Sequence, residues 1–212
     1  GRSQELLYWF ARHWDDWGLS KWRIFLDSPM ANKVVGIYDR HQELFDAEAK
    51  AMFNGRVHPF HLPNLKYTSD VEESKAINDH PSGAIIIAGS GMCNGGRIRH
   101  HLLRHLGNPK SHILFVGYQS VGTLGRLLVD GIPEIKLFGE LIKIKAKRHT
   151  IGGLSAHTDQ AGLLEWYSAL EGHPRVALVH GEDDARSSLA VALKTRFDID
   201  AAIPAYGDSF EI

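Results

Sequence analysis

The most informative segment of the chain is Arg148-His149-Thr150-Ile151-Gly152-Gly153-Leu154-Ser155-Ala156-His157-Thr158-Asp159. A second segment with a similar pattern is Ala177-Leu178-Val179-His180-Gly181-Glu182. Each contains a histidine where a strand is expected to give way to a loop and a helix. The apolar run 176–179 is long enough for a buried strand, and His180 stands at its carboxyl end. Asp159 is a helix N-cap residue ahead of an apolar-periodic run. Each segment therefore predicts a histidine on a loop that leads into a helix.

Ligands bind at the carboxyl edge of sheets covered by helices, so His157 and His180 are expected to share one site. Metal binding and acid–base catalysis are the two roles that such a pair can serve. The other interpretation is that both are loop histidines with local hydrogen bonds. The local pattern leaves these alternatives open.

Composition excludes several classes of protein. A net charge of −1 provides no global basic field, so an anionic partner must be held by a local patch. The single cysteine, Cys93, excludes an intramolecular disulfide framework and a cysteine-rich zinc knuckle. No apolar run approaches the roughly 20 residues that span a bilayer. A cytoplasmic protein without membrane contact is therefore expected.

The first 130 residues alternate strand and helix, which predicts an α/β fold with a parallel sheet and helices on both faces. Helices are predicted over 3–17 and 31–45, and residues 55–69 are predicted to be irregular. Apolar runs predict strands at 23–26, 84–88 and 112–116, and Thr123 is predicted to open a short helix over 124–129. Residues 134–147 alternate apolar and polar side chains, as an antiparallel hairpin does. A domain change is expected near residue 150. Beyond it, the predicted elements are helix 159–170, strand 175–180, helix 183–197 and strands near 200–205 and 209–212.

The loop Gly89-Ser90-Gly91 follows a predicted strand and precedes a predicted helix. Backbone amides at such a turn favour anions, and glycine lets the ligand approach. No Gly-Lys-Ser/Thr follows, and the next strand lacks the acid of a dinucleotide site. Anion binding, a nucleotide cofactor and a close-packed turn all remain open, while Cys93 in this loop is interpreted as packing.

Basic residues and the remaining histidines give weaker predictions. Lys143 and Lys145 are interpreted as a solvated strand edge, whereas Arg148 leads into the histidine segment and is the better phosphate contact. His100 and His101 are interpreted as surface groups on an arginine-rich helix. The other histidines, among them His58 and His61, lack convergent spacing.

Four motifs in a fixed order resemble one family: Ser90-Gly91-Met92, Gly122-Thr123-Leu124-Gly125-Arg126, Ser155-Ala156-His157-Thr158-Asp159 and His180-Gly181-Glu182. Together they are similar to the C-terminal half of the beta-CASP nucleases, which have the metallo-beta-lactamase fold. The resemblance implies that residues 1–150 are a beta-CASP cap lacking its start. Residues 151–212 would be the C-terminal segment of an incomplete metallo-beta-lactamase domain.

The resemblance also implies roles for individual residues. His157 matches the histidine that protonates the leaving oxygen, and His180 matches a zinc ligand. The residues that match the lining of the substrate cleft are Ser90, Gly91, Met92, Ser155 and Ala156, with Arg148 added as a phosphate contact. The intact parent would carry two zinc ions and hydrolyse single-stranded RNA.

One departure from the family pattern limits this chain. The His-x-His-x-Asp-His metal motif occurs nowhere in the 212 residues, so the chain is expected to be a fragment that is nearly inactive and binds no zinc stably. The upstream half of the hydrolase domain is an implied partner, and a homodimer is left open. A non-catalytic RNA-binding or scaffold member and a DNA-acting relative remain alternatives. The isolated tail 151–212 is expected to expose apolar surface, and therefore to self-associate or to be disordered in part.

Overall fold

The computed structural model describes residues 1–154 and 157–209. The chain divides into two compact units, Gly1–Ser155 and Ala156–Ile212. The helices are α1 (Arg2–Arg12), α2 (Pro29–Arg40), α3 (Ala47–Phe53), α4 (Val71–Ala76), α5 (Ile98–His105), α6 (Leu124–Val129), α7 (Gln160–Ser168) and α8 (Asp183–Phe197). The strands are β1 (Arg23–Asp27), β2 (Leu65–Tyr67), β3 (Ala84–Ala88), β4 (His112–Phe115), β5 (Glu134–Leu137), β6 (Glu140–Lys143) and β7 (Lys147–Thr150).

A parallel sheet of order β2-β1-β3 forms the centre of the first unit. Ile24 of β1 pairs with Leu65 on one side and with Ile85 on the other. Ile24 and Leu26 are fully buried, because apolar side chains of a central strand can pack against neighbouring elements. The parallel α/β architecture predicted from the sequence is confirmed.

A second parallel pair joins β4 to β7, and β5 and β6 form an antiparallel hairpin. The hairpin prediction is correct for residues 134–143 but wrong for residues 144–147. Residues 144–146 lie outside the strands. Lys147 begins β7, where it and Arg148 pair with His112 and Ile113 of β4. The alternation of apolar and polar side chains over residues 141–147 does not show that the pairing strand changes from β5 to β4, because parallel and antiparallel strands share the same period of two.

Two predicted helices have different bounds in the structure, and one stretch predicted to be irregular contains a strand. The first helix ends at Arg12 rather than near Trp17, and turns continue to Gly18, which adopts a left-handed conformation. The second helix runs from Pro29 to Arg40 instead of 31–45, because the Ser28 hydroxyl accepts a hydrogen bond from the Ala31 amide and caps it early. Strand β2, within a stretch predicted to be irregular, is too short for a periodic signal.

The second unit contains α7 and α8, which are tied together by a hydrogen bond of 3.1 Å from Gln160 Nε2 to Ser188 Oγ. The predicted strands 175–180 and 200–205 appear only as a parallel bridge between Ala177 and Ala202. Two backbone hydrogen bonds join these segments, from the Ala202 amide to the Val176 carbonyl and from the Leu178 amide to the Ala202 carbonyl. Pro204 has no N–H with which to extend this ladder, which accounts for the difference. The strand predicted at 209–212 falls mostly outside the described residues.

Large apolar side chains of this second unit are exposed, as the sequence predicted for the tail. Trp166 is 64% exposed, Val179 70% and Val191 66%. Self-association through them stays a prediction. Among the described residues, none of the helices has the length and apolarity needed to cross a membrane.

Candidate functional site

The glycine loop, residues 89–96, is held in shape by Gln119. The Gln119 side chain is buried, and its Nε2 donates to the carbonyl of Gly91 at 3.1 Å and to that of Gly117 at 2.9 Å. Ser90 Oγ bonds across the loop with the amide and the carbonyl of Gly95, both at 3.2 Å. The loop is therefore held by hydrogen bonds between its own residues, Ser90 and Gly95, and by the Gln119 side chain.

The loop also contacts the start of α6, which brings two of the four sequence motifs together. The Gly125 amide donates to the carbonyl of Met92 at 3.0 Å, and the Leu124 amide donates to Asn94 Oδ1 at 2.9 Å. Thr123 caps the helix with its hydroxyl, as the sequence predicted. Ser90-Gly91-Met92 and Gly122–Arg126 are thus parts of one local structure.

At two positions, Gly96 and Gly125, the backbone packs so closely against neighbouring atoms that a side chain would collide with them. A Cβ on Gly96, whose φ is +72°, would lie 2.5 Å from the carbonyl oxygen of Gly89. A Cβ on Gly125 would lie 1.7 Å from Gln119 Oε1. Cys93, in the same loop, is buried, and burial raises the pKa of its thiol to about 11. A thiol with that pKa is a poor nucleophile at neutral pH, in keeping with a packing role.

A buried carboxylate anchors the far side of the loop. Asp27 stands at the end of β1 with no exposed surface, and its Oδ2 accepts from Ser74 Oγ at 2.6 Å and from His101 Nε2 at 2.7 Å. Its Oδ1 accepts from Thr68 Oγ1 and from the Arg97 guanidinium. Arg97 also donates to the carbonyl of Ser69 at 3.0 Å. The network therefore joins the ends of β1 and β2 to the start of α5.

Burial by itself would raise the pKa of Asp27, but the hydrogen bonds outweigh it and hold the pKa well below its usual range. The prediction that His101 is a surface group is wrong, because His101 is 6% exposed and bonded to this carboxylate. Sequence reasoning missed the network. Its one visible signal was an aspartate at the end of an apolar strand.

Arg148 lies on β7, partly buried. Its Nη1 donates to the carbonyls of Ile132, at 3.0 Å, and Leu128, at 3.4 Å. These acceptors lie at and beyond the end of α6, so the side chain caps that helix and fastens β7 to it. At least part of the guanidinium is thereby occupied within the protein.

The two histidines of the motif segments occupy comparable places in the second unit. His157 is exposed and precedes Asp159, whose carboxylate caps α7 by accepting from the Gly162 amide at 2.9 Å. His180 is exposed and lies two residues before Glu182, the N-cap residue of α8. Each histidine thus stands on a loop that enters a helix, as predicted. Ser155 and Ala156 lie outside the described residues.

The described residues do not complete a metal centre around His180. Across residues 1–154 and 157–209, one group of three potential ligands converges: Asp39, His58 and His61. It lies in the first unit and does not include His180. The expectation that His58 and His61 lack convergent partners is therefore wrong.

Comparisons with known proteins identify two families along the chain. Residues 3–128 match the Beta-Casp domain, and residues 141–204 match the Zn-dependent metallo-hydrolase RNA specificity domain. Ribonuclease TTHA0252 of Thermus thermophilus is 40% identical over 195 residues, which are 92% of this chain and 44% of that protein. Transcription termination factor FttA of Pyrococcus horikoshii is 31% identical over 211 residues, which are 96% of this chain and 32% of that protein. The chain thus spans less than half the length of these relatives.

Proposed function

Because this chain belongs to the beta-CASP family, we propose that it is part of a zinc-dependent nuclease that hydrolyses RNA phosphodiester bonds. The observation that carries the proposal is the ordered match to two domains, the second of which is described as specific for RNA. The most similar of the two relatives named above is called a ribonuclease. We place residues 1–150 in the cap and residues 151–212 in the hydrolase domain, and we expect the whole protein to act in the cytoplasm.

We assign His157 the role of general acid. Phosphodiester hydrolysis expels an alkoxide oxygen, which leaves far more readily when a proton reaches it in the transition state. Imidazole is suited to this because it exchanges a proton near neutral pH. His157 is an exposed residue on the loop that enters α7, next to the capping residue Asp159, and this position supports the assignment.

We assign His180 the role of metal ligand. Zinc at such a site supplies an activated water and offsets the charge of the phosphate. One imidazole cannot hold the ion, since catalytic zinc sites use at least three protein ligands. The remaining ligands would come from the upstream half of the hydrolase domain, outside these 212 residues.

We propose that the RNA backbone passes along the glycine loop, with Ser90, Gly91 and Met92 beside it. We also propose that Ser155 and Ala156, which lie outside the described residues, contact RNA. The internal hydrogen bonds of the loop support this, because a binding surface is most effective when it is held rigid before the ligand arrives. We also propose Arg148 as a phosphate contact, with its Nη1 engaged at the same time with two backbone carbonyls.

A second candidate is a role in ending transcription, since relatives that are 31% identical carry the name transcription termination factor. The higher identity to the ribonuclease favours RNA processing or decay. A scaffold member that binds RNA without cleaving it, and a relative that acts on DNA, are distinguished by the same experiment.

The experiment uses the longer protein that contains this chain, loaded with zinc and given end-labelled single-stranded RNA or DNA of the same sequence. We expect cleavage of RNA that disappears on chelation and returns with zinc, and little cleavage of DNA. Binding of RNA without any cleavage would favour the scaffold, and preferential cleavage of DNA would overturn the assignment of substrate.

A further inference from the structure

A cluster of two histidines and an aspartate lies in the first unit, apart from every motif used above. Asp39 belongs to the last turn of α2, and His58 and His61 belong to the loop between α3 and β2. Their potential ligand atoms all lie within 4.8 Å of one another. His61 Nε2 is 3.1 Å from Asp39 Oδ2, and His58 Nε2 is 3.5 Å from Asp39 Oδ1.

These distances fit a transition-metal ion. Zinc bonds of 2.0–2.1 Å in tetrahedral geometry place neighbouring ligand atoms about 3.3 Å apart. The two nitrogen–oxygen separations, each to a different oxygen of Asp39, lie within a few tenths of an ångström of that value. Two imidazoles and a carboxylate form a ligand set that suits zinc and similar divalent ions better than calcium or magnesium. We propose that Asp39, His58 and His61 form a binding site for a divalent transition metal such as zinc.

The loop that carries the histidines is rigid enough to present them. Phe60 is 2% exposed and Leu62 4%, so the residues between and beside the histidines are anchored in the core. Tyr67 Oη donates to the carbonyl of Phe60 at 2.6 Å and clamps the turn. The side chains of His58 and His61 are 22% and 63% exposed, which leaves a path for the ion and room for water as a further ligand.

Neighbouring groups orient one of the ligands, and one of their hydrogen bonds must break when the metal binds. Gln42 Nε2 donates to Asp39 Oδ1 at 3.2 Å and orients the carboxylate, as partners outside the coordination sphere commonly do. The Phe60 amide donates to His58 Nδ1 at 3.1 Å, so the proton of the neutral ring is on Nε2. Coordination through Nε2 moves this proton to Nδ1 and breaks that hydrogen bond. One such bond is worth about tenfold in an equilibrium constant, which three metal–ligand bonds exceed.

The test measures zinc binding to the 212-residue chain by titration calorimetry, with Zn²⁺ alone as the probe. A His180→Ala variant separates this site from any contribution of His180. We expect one ion per chain in the wild type and in His180→Ala. His61→Asn and Asp39→Asn should each weaken binding by tenfold to a hundredfold or more, whereas the control His41→Asn, which alters another exposed histidine–carboxylate pair, should not. The Phe60 amide proton resonance should move upfield as it loses its acceptor.

Absence of stoichiometric zinc binding would overturn the proposal, as would binding that survives both His61→Asn and Asp39→Asn. Zinc binding that is lost in His180→Ala but retained in the cluster variants would also overturn it. None of these results depends on RNA cleavage, so the experiment tests the metal site independently of the proposed nuclease activity.

Discussion

Asp27 and His101 lie 74 residues apart in the chain, yet the His101 ring donates a hydrogen bond of 2.7 Å to the Asp27 carboxylate. The same carboxylate accepts from Arg97, which directly follows the glycine loop. The end of β1, the loop and the first turns of α5 are therefore held by one buried charge. A rigid frame of this kind positions the loop that we propose lies beside RNA.

The first prediction is that Asp27→Asn destabilises the protein by about 3–5 kcal/mol. The amide has nearly the same shape but no charge, so the largely buried guanidinium of Arg97 and the ring of His101 lose their ionic partner. The free energy of unfolding, measured with urea, checks this.

The matched control is Asp130→Asn. Asp130 directly follows α6 and forms an exposed ion pair with Arg126 of that helix, which the substitution breaks. Exposed pairs contribute about 0–1 kcal/mol, so this variant should be nearly neutral. Equal effects of the two substitutions would contradict the view that the Asp27 network is a structural anchor.

The second prediction concerns pH. The pKa of Asp27 is lower in the folded chain than in the unfolded chain, where it is about 4. Its contribution to stability is therefore complete above about pH 4 and is lost as the pH falls through the folded-state pKa. The difference in unfolding free energy between wild type and Asp27→Asn should be constant from pH 7 to 5 and shrink below about pH 4. A difference that grows on acidification would show that the carboxylate is not the stabilised form.

The third prediction compares two glycines with left-handed backbones. Gly122→Ala, at φ +82° with open space around it, should cost only the conformational penalty of about 1–2 kcal/mol. Gly96→Ala carries the same penalty and a collision with the carbonyl of Gly89, which should add about 1–3 kcal/mol. Urea unfolding of both variants measures the difference, and equal losses would mean that Gly96 does not lie against the carbonyl of Gly89 as described.

The fourth prediction separates two roles of Arg148. If its guanidinium chiefly caps α6, Arg148→Met should lower the free energy of unfolding by about 1–3 kcal/mol, since two carbonyls lose a charged donor. RNA affinity of the longer protein should then change little. Unchanged stability combined with a large loss of RNA affinity would instead make Arg148 a phosphate contact.

Local patterns in the sequence predicted the parts of the fold that depend on neighbours in the chain. The apolar runs gave β1, β3 and β4, and Thr123 correctly marked the start of α6. The early end of α1 was missed because the aromatic periodicity continues through residues 13–17, where the structure has turns. Periodicity records which side chains can be buried and not where the backbone leaves the helix.

Contacts between distant segments escaped prediction. Asp27 with His101, and Asp39 with His58 and His61, are brought together only by tertiary packing. Two candidate residues for catalysis, His157 and His180, were identified by motif, and the structure agrees with their predicted positions ahead of α7 and α8. Their roles in catalysis and metal binding stay predictions.

The most direct test of the proposed function is a kinetic comparison of His157→Gln with wild type in the longer, zinc-loaded protein. We expect turnover of single-stranded RNA to fall by about a hundredfold to ten-thousandfold, because a general acid has been lost. The RNA dissociation constant should stay within about twofold, and the control His41→Gln should change neither quantity. Turnover unaffected by His157→Gln, or a loss of turnover fully matched by a loss of RNA affinity, would contradict the account.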